Sequence, residues 1–186
     1  MLRTSLRNLA IASMLAGSAM LAHAAMNPDV GGAPMYDSKT IVENAMNSKD
    51  HTTLVTAVKA AGLVDTLMGK GPFTVFAPTN EAFAALPSGT VDTLLKPENK
   101  DQLVKVLTCH VVAADAMSAM IDKMIKDDGG MHKVKTVGGC TLTASEKDGR
   151  IMLTDETGGM ATVTIADVKQ SNGVIHVIDK VLLPKG

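Results

Sequence analysis

Gly71-Pro72-Phe73-Thr74-Val75-Phe76-Ala77-Pro78-Thr79-Asn80-Glu81-Ala82-Phe83 holds all three phenylalanines of a chain with no tryptophan and a single tyrosine. No other stretch offers comparable apolar area per side chain. Phe73, Val75 and Ala77 alternate with Thr74 and Phe76, the period of a short buried strand. Pro78 lacks an N–H for a sheet ladder, so the strand is expected to stop there. Thr79 then suits the cap of a helix that turns Ala82, Phe83 and Leu86 inward, with Glu81 in its first turn. The core is expected to pack around this strand-to-helix joint.

The chain begins with an export pattern. Arg3 and Arg7 precede the short apolar run Leu9–Ala16, and Ala22-His23-Ala24 has the small-x-small form of a cleavage site. Residues 1–24 therefore read as a signal peptide, with the mature chain starting at Ala25. The mature chain has 162 residues, enough for one domain with a substantial core. Losing Arg3 and Arg7 takes the formal charge from −1 to −3, too weak and too mixed to imply a nucleic-acid partner or an anionic membrane surface. No second apolar run reaches spanning length, so no membrane span is expected in the mature protein.

Residues 25–36, with Pro28, Gly31, Gly32 and Pro34 and few apolar anchors, read as a flexible N-terminal arm. Asp37 or Ser38 can cap a helix carrying Ile41, Val42 and Ala45. A second helix carries Leu54, Val55, Val58 and Ala61 at helical spacing and ends at Gly62. Leu63–Met68 continue as a short helical turn. Beyond Pro87-Ser88-Gly89, Val91, Leu94 and Leu95 suggest another short helix, and Pro97 can open one that buries Leu103, Val104, Val106 and Leu107. Residues 108–112 are expected as strand and 114–126 as helix. From His132 onward, apolar and β-branched runs separated by glycine-containing breaks read as strands over 132–137, 141–146, 150–155, 161–166 and 173–182. Helices first and strands last argue for an α+β fold rather than alternating βαβ units.

Two long blocks carry a family likeness. Thr74-Val75-Phe76-Ala77-Pro78-Thr79-Asn80-Glu81-Ala82-Phe83 and Ser171-Asn172-Gly173-Val174-Ile175-His176-Val177-Ile178-Asp179-Lys180-Val181-Leu182-Leu183-Pro184 resemble the two signature blocks of the fasciclin domain. The likeness implies a domain over residues 37–186: a fasciclin-like β-wedge of two packed sheets flanked by several short helices. Phe73, Val75, Phe76, Thr79, Phe83 and His176 would be its structural core motif. The family is associated with adhesion and matrix contact rather than with a catalytic centre. A Tyr-His pair and an Asp-Ile pair linked to integrin recognition in animal members correspond here to Cys109-His110 and Asp167-Val168. The likeness thus nominates His110, Asp167 and Val168 as partner-binding residues, with the tyrosine replaced.

Cys109 and Cys140, an even pair in an exported chain, favour a disulfide over two separate buried thiols. Their spacing is unlike a redox-active Cys-x-x-Cys. The mature histidines His51, His110, His132 and His176 form no local chelating pair, and no cofactor is expected. Met117, Met120 and Met124 have thioethers that suit Cu(I), but their spacing also fits an amphipathic helix using methionine as core filler. No Gly-x-Ser-x-Gly elbow or phosphate loop is present. The leading expectation is an exported, non-enzymatic protein, secreted or periplasmic, that contacts an unknown cell-surface or matrix component. Alternatives are a carrier of an apolar small molecule and a periplasmic metal or redox protein.

Overall fold

The computed structural model describes residues 27–185, and the expected signal peptide lies outside the described residues. In chain order the elements are β1 (Asp29–Val30), β2 (Ala33–Pro34), α1 (Ile41–Ala45), α2 (Thr52–Ala61), α3 (Val64–Leu67), β3 (Phe73–Pro78), α4 (Asn80–Ala84), α5 (Thr90–Leu94) and α6 (Lys100–Thr108). They continue as β4 (Val111–Val112), α7 (Ser118–Asp127), β5 (Met131–Lys135), β6 (Thr141–Lys147), β7 (Arg150–Thr154), β8 (Met160–Gln170) and β9 (Gly173–Ile178). The fold is α+β.

Seven strands form one ladder in the order β4-β3-β9-β8-β7-β6-β5. The two sheets of the expected wedge are the two halves of this ladder. They meet at β8, whose pairing with β9 shifts register between Val163 and Ile165 and again between Ile165 and Val168; such bulges bend a strand. The halves also approach at their free edges. Val137 N–H donates to the Val111 carbonyl at 2.7 Å and Gly138 N–H to the Thr108 carbonyl at 3.0 Å. A Cβ on Gly138 would lie 2.6 Å from Thr108 Oγ1 and 2.8 Å from Cys109 N, so only glycine fits this seam.

A disulfide joins Cys109 and Cys140 at the same seam, with Cα atoms 5.4 Å apart, inside the range a bridge requires. Cys109 is the C-cap of α6, not a strand residue, and strand begins only at Val111. Leu107-Thr108-Cys109-His110-Val111 is apolar and partly β-branched, and in so short a run a helix end and a strand start look alike. Closing a loop over a separation of 31 residues restricts the unfolded chain by about 3–4 kcal/mol in the entropic account.

At the centre, β3 runs parallel to β9, with Phe73 opposite Gly173 and Phe76 opposite His176. Both strands are covered on both faces, which is why they read as near-continuous apolar runs. Alternation sorts their side chains into two cores. Val75, Ala77, Ile175 and Val177 face a core built with α1–α6, whereas Phe76 and Ile178 face one built from α7 and β6–β8. The Phe76 ring stacks on His176 with centroids 5.7 Å apart. The strand ends at Pro78, and Thr79 Oγ1 accepts the Ala82 N–H to start α4.

Two local readings differ. α1 is capped by Thr40, whose side chain and that of Glu43 form a reciprocal capping box; the Thr-x-x-Glu pattern is legible in the sequence but lies two residues beyond Ser38 and three beyond Asp37. The expected flexible arm instead contains the β1–β2 hairpin, which buries Val30 and Met35 in the first core. Two apolar residues flanking a Gly-Gly turn anchor the segment despite its glycine and proline content.

Phe76 is 1% exposed. Phe76→Ala is expected to cost about 3–5 kcal/mol through lost transfer energy and a cavity. Chemical denaturation checks this, and an unchanged unfolding midpoint would contradict it.

Candidate functional site

A set of polar contacts between distant segments lies where β3, β9 and β8 meet the connection from β4 to α7. Thr74, buried on β3, donates its hydroxyl to the Ala114 carbonyl at 2.6 Å and accepts the Ala116 N–H at 2.8 Å. His176, buried on β9, donates from Nε2 to the Ala116 carbonyl at 2.8 Å, while its Nδ1 accepts the Asp167 N–H at 3.2 Å. Because a carbonyl only accepts and an amide only donates, these partners fix the His176 tautomer. Asp167 sits at the β8 bulge with a φ of 59°, an uncommon conformation that aspartate tolerates better than most residues. Its carboxylate accepts the Ser118 N–H at 2.7 Å and the Ser118 hydroxyl. Ser118 opens α7, so an anion here satisfies an otherwise orphaned helix donor and complements the helix dipole.

Ser118, His176 and Asp167 are thus neighbours, but their order does not suit nucleophilic catalysis. The carboxylate holds the serine directly, and both imidazole nitrogens are committed to backbone groups. A triad requires the imidazole between the other two.

His110 forms a second pin. Its Nδ1 donates to the Val106 carbonyl at 2.8 Å and its Nε2 accepts the Leu182 N–H at 2.9 Å, tying the end of α6 to the C-terminal segment. Burial is the main cause holding its pKa down, at about 4. Burial likewise lowers His176 and His51. His51 Nδ1 meets the Ser48 hydroxyl at 2.9 Å, and among the described residues its Nε2 has no hydrogen-bond partner. Asn172, in the β8–β9 turn, accepts from Ile41 N–H and donates to the Leu67 and Gly69 carbonyls.

These positions correct the surface reading of the recognition residues. Val168 is 0% exposed and His110 2% exposed, so neither side chain is available to an external partner. Asp167 is half-buried and bonded to Ser118. The sequence alone does not mark Thr74, Ser118 and Asn172 for these roles. A hydroxyl inside the apolar run 73–77 and an asparagine before Gly173 were the available signals, since buried polar groups need partners.

Two small apolar cavities adjoin between α1, α2 and β3, of about 40 Å³ and 20 Å³, and share Ile41, Ala45, Leu54 and Val75 as walls. Valine, isoleucine and leucine dominate the walls, with Met35 the methionine contributor. On α7, Ile121 and Ile125 are the buried residues; Met124 packs at the core's margin and Met120 is 51% exposed. Among the described residues, no three His, Cys, Asp or Glu side chains gather as a metal-holding group.

Residues 49–184 match the Fasciclin domain. The chain is 50% identical over 155 residues to protein sll1483 of Synechocystis, covering 83% of this chain and 79% of that one. It is 34% identical over 179 residues to the cell surface glycolipoprotein MPB83 of Mycobacterium bovis, covering 93% and 74% respectively. The fold resembles that of a FAS1 domain pair from the insect cell adhesion molecule Fasciclin I, with a TM-score of 0.70 and 19% identity, over 78% of this chain and 51% of the other.

The buried histidines set a pH dependence. Unfolded, an imidazole takes up a proton near its ordinary value of 6.5; folded, His110 resists protonation down to about 4. The unfolded state therefore binds more protons across that interval, and stability falls as pH drops from about 6.5 towards about 4. His110 alone accounts for about 3 kcal/mol of this loss, and His51 and His176 act in the same direction. Denaturant titrations across this range check the slope; a flat profile would contradict it.

Proposed function

The chain belongs to the fasciclin domain family, and from that premise we propose that it is exported and acts by surface contact, in adhesion or matrix association, without a catalytic step. One observation carries this reading. Of the interior groups with chemical potential, Thr74, His110, Asn172 and His176 make two or more hydrogen bonds each to the chain's own backbone, and His51 is held through Ser48. Recognition then falls to the solvent face.

Export rests on the leader pattern of residues 1–24 and on the Cys109–Cys140 bridge, a bond that persists in oxidising compartments. The likeness to MPB83, named as a cell surface protein, supports the same placement. One domain offers one contact at a time, so strong attachment would need oligomerisation or a dense array of sites.

A second reading, carriage of an apolar small molecule, is favoured by the adjoining apolar cavities beside Ile41 and Leu54. At about 40 Å³ the larger is far below the ~300–1,000 Å³ of ligand pockets, so α1 and α2 would have to part from β3. Mass spectrometry of natively purified protein would reveal such a cargo.

The contact reading predicts that labelled mature protein binds isolated cell envelopes saturably and is displaced by unlabelled protein. Absence of saturable binding to envelopes and extracellular matrix would contradict it.

A further inference from the structure

The solvent face of β5–β8 has an uneven charge pattern. Along these strands Leu142, Ala144, Ile151, Leu153, Ala161 and Val163 point into the second core. The alternate positions face outward and hold Lys133, Lys135, Lys147 and Arg150, with no carboxylate among them. All four cations are exposed, and the salt bridges among the described residues use other cations, on α7 and at His132. This occurs in a chain whose acidic residues outnumber its basic ones.

Lys147 lies directly opposite Arg150 in the ladder. Like charges facing each other across two strands are destabilising, so this pair opposes folding. Lysines on edge strand β5 have an ordinary explanation, since they discourage edge-to-edge pairing. The Lys147–Arg150 pair, at the tip of an inner hairpin, has no such explanation. Beside it lies an open depression of about 360 Å³, lined by Lys147, Asp148, Arg150, Met152 and Thr162. One carboxylate, the exposed Asp148 of the hairpin turn, shares the depression with the two cations, while those of Glu156 and Asp179 are occupied by backbone donors, Thr141 and Lys185 N–H for the first and Thr162 N–H for the second.

The rest of the face indicates what kind of anion fits. Between the cations run short hydroxyl side chains, with Thr143 opposite Thr154 and Ser145 opposite Met152. Its outward positions include no aromatic residue. Single-stranded nucleic acids use aromatic platforms for stacking, and membrane-surface elements set Trp, Phe or Leu anchors beside their cations, none of which stands on this face. A face of cations and hydroxyls, with Met131, Met152 and Met160 as its apolar members, offers hydrogen bonds and charge to a polymer bearing both hydroxyls and carboxylates.

We propose that the solvent face of β5–β8 binds a carboxylate-bearing polysaccharide, with Lys147 and Arg150 at the depression and Lys133 and Lys135 along the edge as its anion contacts. This names a partner for the surface contact argued above and rests on that reading.

The test is retention of the full mature protein on immobilised polygalacturonate, with neutral dextran and phosphatidylglycerol vesicles as comparison surfaces. Two variants are compared: K133Q/K135Q/K147Q/R150Q on the face, and K49Q/K59Q/K96Q/K100Q on the helical side, which removes the same charge. The wild type and helical-side variant should bind polygalacturonate and release it on going from about 20 mM to 500 mM salt. The face variant should bind at least about tenfold more weakly, with an unchanged circular dichroism spectrum. Equal weakening by both variants, no salt-sensitive retention of the wild type, or stronger binding to the vesicles would each overturn the proposal. Envelope binding is scored separately. Protein that binds envelopes but not polygalacturonate would sink this inference and leave the contact reading standing, and the converse would do the reverse.

Discussion

The parallel pairing of β3 with β9 is the constraint on which the rest of the structure depends. It joins segments about a hundred residues apart in the chain and places a barrier between two cores, each of which uses one face of the same two strands. The pairing begins where the backbones nearly touch. A Cβ on Gly173 would lie 1.9 Å from the Phe73 carbonyl oxygen, and one on Gly71 would lie 2.1 Å from that of Asn172. Any side chain at either point would force the strands apart. Because contacts of such separation form only after a long loop has closed, the pair is costly to nucleate and stable only when both cores form with it.

Polar pins extend this centre outward. Thr74 and His176 leave the two paired strands to hold the entry into α7, Asp167 holds that helix's first residue, and His110 holds the C-terminal segment. A hydrogen bond contributes about 0.5–1.5 kcal/mol net, whereas leaving a buried partner unmet costs about 1–3 kcal/mol. Such networks therefore specify one arrangement more than they add stability. They also withdraw these residues from external chemistry, which is why the functional reading moves to the solvent face and, within it, to the cationic face of β5–β8.

Much of this was legible in the sequence. The alternation at 73–77, the Thr79 cap, the stop at Gly62 and the succession of glycine-broken strands after residue 131 each follow from local chemistry and are present, although β8 runs on past the expected 166 to Gln170 and β9 ends at Ile178 rather than 182. What could not be read is non-local. Period-2 alternation marks a strand as buried but does not name its partner, so the parallel β3–β9 pair and the Phe76–His176 stack were hidden. Two bulges redirect Asp167 and Val168, one towards α7 and the other into the core, and no local signal separates those fates. Cys109 fell at a helix end rather than in a strand because Leu107–Val111 satisfies either pattern. The charge on the β5–β8 face became visible only when the register showed which lysines share a side.

Native-state hydrogen exchange tests the central position of the β3–β9 pair most directly, because it reports the opening free energy of each amide. The amides of Val75, Phe76, Ile175 and Val177 should exchange only through global unfolding, and both cores should lose protection with them at one denaturant concentration. Exchange of these amides at low denaturant, while the strands of β6 and β7 stay protected, would contradict the account.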